Sequence, residues 1–188
     1  MDTIVKLFNS AARVKLLRLF LFNRNEAFTF STIVERAKVT PEAARSELNL
    51  LVDAGVLKRG GKSGKIYRTD LRYEHLESLD GFIRTTTIVR PTVLLASLKK
   101  AGALRLVVLT GFFTGVGETA VDLLLVGDRL DERALARTAA SLEAELGREV
   151  RYTSFSVEDF RYRQGIYDRL LRDVFDYPHR VLLDKVSS

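Results

Sequence analysis

The stretch TPEAARSELNLLVDAGVLKRGGKSGKIYR, Thr40 to Arg68, decides how this chain is read. Thr40 is a natural N-cap, and Pro41 stands at the first helical position, where a missing N–H costs nothing. Ala44, Leu48, Leu51 and Val52 recur at i, i+4, i+7 and i+8, one apolar stripe along a helix. Gly55 ends that pattern. Lys58, Arg59, Lys62, Lys65 and Arg68 follow within eleven residues that contain no acid, around Gly60-Gly61 and Gly64. Ile66 and Tyr67 supply a β-favouring return, so a helix passes directly into a basic hairpin tipped with glycine.

The composition sets the frame. At 188 residues and 46% hydrophobic, the chain is long enough for one large core or two small ones. Lys15 and Arg18 break the greasy VKLLRLFLF segment, so no apolar run reaches membrane length. The opening MDTIVKLF is too short, and too acidic at Asp2, for a secretory signal. The chain contains no cysteine, which removes disulfides, thiolate metal sites and a Cys nucleophile. These features predict a cytoplasmic protein with no membrane partner. The net charge of +6 is uneven: residues 1–87 carry 15 Lys/Arg against 10 Asp/Glu, and residues 88–188 carry 15 against 14. The excess lies in the half with the hairpin, which favours a polyanion there.

Around the central stretch, Ser10 caps a helix from Ala11 to about Phe22, with Val14, Leu16, Leu17, Phe20 and Leu21 facing inward. Residues 27–30 read as a short extended piece, and Ser31 as the cap of a helix from Thr32 to Ala37. Leu71 to about Thr85 reads as a further helix that packs on this domain or pairs with a second copy. This order resembles winged helix-turn-helix transcription regulators of the ArsR and MarR kind over residues ~5–69. The resemblance implies that the helix after Thr40 is a recognition helix and the hairpin its wing. The expected partner is double-stranded DNA. Arg45, Ser46 and Asn49 would face it from the helix, and Lys58, Arg59, Lys62, Lys65 and Arg68 from the wing. Two plainer readings stand beside this: a solvated basic loop, and a winged fold kept as a protein-interaction module. Glu42 and Asp53 on the same helix face would repel phosphates.

A boundary near residue 88 divides the chain into 1–87 and 88–188. In the second part Pro91 starts a helix closed by Gly102. LRLVVLTGFF (104–113) and AVDLLLVGD (120–128) then read as strands buried on both faces, joined through Gly115 and Gly117. Helix 131–146, strand 149–155, a helix capped by Ser156, a helix from about Ile166 to Phe175 and a strand from Arg180 complete an α+β chain. Two strands joined by a Gly-containing turn, with an acid on the second, resemble the minimal nucleotidyltransferases over residues 91–186. That family has Gly-Ser on the first strand and Asp-x-Asp on the second, whose carboxylates hold Mg²⁺ beside a triphosphate. Here Gly111 is followed by Phe112, Ala120 takes the place of the first Asp, and Asp122 alone remains. On the next strand only Glu149, at its start, is acidic.

The resemblance therefore implies a degenerate nucleotidyltransferase-like domain with no catalysis, cofactor or metal, serving dimerisation or partner sensing. Asp122 is either a relic metal ligand or a structural cap and salt-bridge partner. The combination is similar to a group of small prokaryotic regulators, and an active nucleotidyltransferase aimed by the winged domain is the rival. His75 and His179 lack metal-ligand spacing, and Ser154 and Ser156 lack a local base. Phe160, Tyr162, Tyr167, Phe175 and Tyr177 read as core or as dimer surface. A possible homodimer is the one protein partner expected.

Overall fold

A computed structural model describes residues 3–61, 65–87, 89–115 and 119–186. The chain is mixed α+β, with two sheets, and separates into two compact units. One comprises Met1–Ile88 with Ala140–Glu149, the other Val89–Ala139 with Val150–Ser188. Among the described residues no helix is long and apolar enough to cross a membrane.

The first unit runs α1 (Thr3–Phe8), α2 (Ala11–Phe22), β1 (Ala27–Thr29), α3 (Phe30–Ala37), α4 (Pro41–Asp53), β2 (Leu57–Gly60), β3 (Ile66–Thr69) and α5 (Leu76–Thr86). Ser10 caps α2 by accepting from the Arg13 amide at 3.1 Å. Every residue of α2 from Leu16 to Leu21 is buried, Arg18 included, because the helix has neighbours on all sides and keeps no solvent stripe. The Arg18 guanidinium is satisfied by Thr87 Oγ1 and the Glu145 carbonyl, each at 3.0 Å. Around α2 the core gathers Phe28, Ile33, Leu48, Leu51, Val56, Leu57, Leu76 and Ile83. Leu76 and Ile83 place the apolar side of α5 on this unit's own core.

In this unit two helix starts differ from the sequence expectation. Thr29, not Ser31, caps α3: its backbone is extended and its hydroxyl accepts from the Thr32 amide at 3.2 Å. Phe30 is thereby drawn into the first turn. Helix α5 begins at Leu76 and not Leu71, because Asp70 first makes a turn. Its carboxylate accepts from the Arg72 amide at 2.9 Å, and its carbonyl from the Tyr73 amide at 3.0 Å.

Both ends of α4 follow from local chemistry. Thr40 Oγ1 accepts from the Ala43 amide at 3.3 Å, with Pro41 in the first turn. At the other end Gly55 adopts φ +78°, the left-handed region open to glycine. There the Val56 amide donates to Leu51 O and the Gly55 amide to Val52 O, both at 3.0 Å, and Val56 buries against the core. This closure aims the chain into β2. Thr40→Ala should lower stability by about 0.5–2 kcal/mol through the lost cap; equal denaturation midpoints for variant and wild type would contradict the capping role.

The three-stranded sheet has the order β1-β3-β2, antiparallel throughout. Its register pairs Lys58 with Arg68, Arg59 with Tyr67 and Leu57 with Thr69.

The second unit contains α6 (Pro91–Leu98), continued by a 3₁₀ turn at Lys99–Ala101, then β4 (Ala103–Leu109) and a 3₁₀ turn at Gly111–Thr114. After these come β5 (Leu123–Asp128), α7 (Glu132–Leu146), β6 (Tyr152–Phe155), α8 (Val157–Gly165), α9 (Arg169–Phe175) and β7 (Arg180–Asp184). From Ala140 onward α7 belongs to the first unit. The sheet order is β6-β5-β4-β7; β5 pairs antiparallel with β4 and parallel with β6. As the apolar runs predict, the central strands are buried on both faces, with Leu106, Val108, Leu124 and Val126 packed against Phe160, Leu171 and Val174.

The strands are shorter than their apolar runs. Strand β4 stops at Leu109 because Gly111 turns at φ +53°, and β5 starts only after Asp122, whose side chain is otherwise engaged. Strand β6 starts at Tyr152, since the Arg151 carbonyl already accepts from the Asp122 and Leu123 amides. Tyr167 at φ +54° interrupts the helix expected from Ile166, and Asp168 restarts it by capping the Leu170 and Leu171 amides. The expected joint between β4 and β5 includes Gly117, which lies outside the described residues.

Candidate nucleic-acid interface

Helix α4 exposes Glu42, Arg45, Ser46, Asn49 and Asp53, while Ala44, Leu48 and Leu51 sit in the core. The outward polar face expected from the sequence therefore exists as one surface. Arg45 lies with its guanidinium carbon 5.5 Å from the centre of the Phe30 ring, a stacking that steadies a long side chain at its exposed site. Asn49 is tied to the hairpin: its Oδ1 accepts from Arg59 Nη2. Arg59 also lies 5.9 Å from the Tyr67 ring, its cross-strand partner.

The hairpin divides its basic residues between two faces, because side chains alternate along a strand. Arg59 shares a face with Leu57, Tyr67 and Thr69. That face is turned toward the helices, since Leu57 is buried and Thr69 Oγ1 donates to the Phe20 carbonyl at 2.9 Å. Lys58 and Arg68 share the opposite face. Lys65 and Arg68 are exposed, and Lys62 lies outside the described residues.

The geometry also alters the role expected of Lys58. Its Nζ lies 2.6 Å from Asp70 Oδ1. The run of eleven residues contains no acid, yet Asp70 stands just beyond it, where antiparallel pairing brings it back beside the start of β2. The hydrogen bond from Lys58 and that from the Arg72 amide hold the Asp70 carboxyl below its ordinary range. A part-exposed ion pair of this kind contributes modestly, so Lys58 can exchange Asp70 for a phosphate, though with less gain than an unpaired lysine.

The second unit offers one further cluster, around Asp122. This carboxylate is 1% exposed and accepts four hydrogen bonds. Oδ1 takes the Phe112 amide at 3.0 Å and Arg151 Nη2 at 3.2 Å; Oδ2 takes the Arg151 amide and Arg151 Nε, both at 3.1 Å. Burial pushes the carboxyl up, but the Arg151 guanidinium and the two amides outweigh it and hold the group below its ordinary value. A cation reaching Asp122 would have to displace Arg151. Among the described residues no group of three or more His, Cys, Asp or Glu side chains is arranged to hold a metal ion. Ala120 and Glu149 are exposed. Thr110, beside this cluster, is fully buried with its Oγ1 unbonded.

Asp122→Asn replaces an acceptor of four donors with an amide that brings its own N–H groups against them. The expected loss is about 2–4 kcal/mol at neutral pH. Because the folded carboxyl is held below its unfolded value of about 3.9, the wild-type advantage is complete above that pH. It shrinks only as pH falls further, through the folded value. Denaturation of both proteins at pH 7, 5 and 3 checks this; a difference already gone at pH 5 would contradict it.

Arg151 is the residue that sequence reading missed here, although its place in the expected strand 149–155, where an acid was sought, could have drawn notice. Of the aromatic set, Phe160 is buried, and Phe175 is half-buried against the same core. Tyr162, Tyr167 and Tyr177 are exposed, which excludes the core reading for those three. His75 meets Glu74, and His179 meets the Tyr177 carbonyl, each at 2.9 Å. In comparisons with known proteins, no family model, no curated protein and no solved structure matches the chain.

Proposed function

We propose that the chain is a DNA-binding transcription regulator whose first unit is a winged helix-turn-helix. In this reading α4 is the recognition helix and β2–β3 the wing. The observation that carries it is the exposed polar face of α4, tied to the basic hairpin through the bond from Arg59 to Asn49. The order helix, strand, helix, helix, hairpin, with a β1-β3-β2 sheet, supports the same assignment. Arg45, Ser46 and Asn49 present donors to base edges, and Arg59, Lys65 and Arg68 supply positive charge for phosphates. Repulsion from Glu42 and Asp53 keeps the helix dependent on its neighbours for affinity.

The second unit is read as a degenerate nucleotidyltransferase-like domain that serves dimerisation or partner sensing. A β4–β5 hairpin with a parallel third strand, β6, supports the likeness. Catalysis is disfavoured by Arg151, which occupies the carboxylate that a metal would need, and by Phe112 where the family carries a serine. Such a regulator would act in the cytoplasm.

The testing experiment is selection from a random duplex library by the purified protein, followed by sequencing. Enrichment of a motif is expected. Retention of no duplex above background at low salt would overturn the reading.

A further inference from the structure

The bond between Arg59 and Asn49 has a consequence for which base this surface accepts. A guanidinium carries donors only, so the carboxamide atom it meets must be the oxygen, and the orientation of the Asn49 side chain follows from chemistry. The two residues come from separate elements, α4 and β2, and both are exposed. Arg59 is steadied by Tyr67 on the face turned toward the helices.

An unconstrained asparagine reads adenine by accepting from N6 and donating to N7. With Oδ1 engaged by Arg59, the amino group is what Asn49 offers outward. The oxygen keeps a second lone pair, but a positive, donor-only group beside it repels the adenine N6 amino group. The guanine edge, with acceptors at both N7 and O6, suits an amino donor next to a cation.

We infer, resting on the DNA-binding reading above, that Arg59 is a specificity-determining residue which turns Asn49 from an adenine reader into a guanine reader. Arg59 thereby acts on the base through Asn49 as a positioning residue, in addition to any phosphate it meets. The wing and the recognition helix then form one reading unit.

Selection from a random duplex library by wild type, Asn49→Ala, Arg59→Met and Lys58→Met tests this. Wild type should enrich guanine over adenine at one position by about five-fold or more, the lower end of what one good base contact discriminates. Asn49→Ala should lose the preference at that position alone, and Arg59→Met should shift it to adenine. Lys58→Met, which removes a charge the wing can offer to a phosphate but does not touch Asn49, should weaken every duplex alike and keep the guanine preference. A second arm uses no DNA: in ¹⁵N-labelled protein the Asn49 side-chain amide resonances should move in Arg59→Met and stay in Lys58→Met. Resonances unmoved by Arg59→Met would overturn the inference and leave the DNA reading standing, as would an unchanged motif in that variant. A wild type that retains no duplex would remove the DNA reading, and the base preference with it, even where the resonances move.

Discussion

Gly111→Ala should destabilise the second unit by about 2–5 kcal/mol, a large share of the 5–15 kcal/mol typical of a folded domain. Two costs combine. Gly111 stands at φ +53°, where a residue with a Cβ is strained by roughly 1–2 kcal/mol. The Cβ itself would meet Thr119 Oγ1 and lie 2.5 Å from Asp122 Oδ1. Asp122 cannot step aside cheaply, because it is buried and holds the Phe112 and Arg151 amides; forcing it adds about 1–3 kcal/mol. Gly115 is the internal control. It too has positive φ, +73°, but a Cβ there meets nothing within 4 Å, so Gly115→Ala should cost only about 1 kcal/mol. Chemical denaturation of both variants decides the matter. Equal losses would show that the packing of Gly111 on Asp122 is not what holds this turn.

The second large effect concerns binding. Changing Arg59, Lys65 and Arg68 together to glutamine should weaken association with every duplex, related or random in sequence, by roughly 100-fold at low salt. The three lie on exposed positions of β2, β3 and the turn between them, with no structural carboxylate as partner among the described residues. Lys58 is left out of the set because Asp70 already holds it. Fold should survive, since none of the three is buried; thermal unfolding of the variant checks that separately. A loss confined to a preferred sequence would mean that these residues read bases instead of gripping phosphates.

What could be read from the sequence was what local chemistry decides. Helix α2 begins after Ser10, and α4 lies between Thr40-Pro41 and Gly55, because a hydroxyl cap, a proline and a left-handed glycine each act within a few residues. The basic hairpin was legible for the same reason. The face of α4 that carries Arg45, Ser46 and Asn49 followed from helical periodicity alone.

What escaped was non-local or competed with a second local signal. Helix α1 has only six residues, too few for a periodic pattern, and among the described residues Ile4 is its one fully buried anchor. Leu71 and Tyr73 fit helical spacing, but the Asp70 turn claims that segment before α5 can start. Ser31 looked like a cap, and Thr29, two residues earlier, took the role once β1 brought it in extended. The pairing of Lys58 with Asp70 depends on strand register. That of Asp122 with Arg151 joins residues 29 apart in sequence. No composition or spacing rule announces such a partner, and in both cases the partner changes what the first residue can do.

The central claim is that the α4–hairpin surface binds duplex DNA through its basic residues. It is tested most directly by the dependence of the association constant on salt. If three to five phosphates are contacted per protomer, log K against log salt should fall with a slope of roughly −3 to −5 for the wild type. In the Arg59, Lys65 and Arg68 glutamine variant the slope should flatten by about three units. The same slope in variant and wild type, or a wild-type affinity indifferent to salt, would contradict the account.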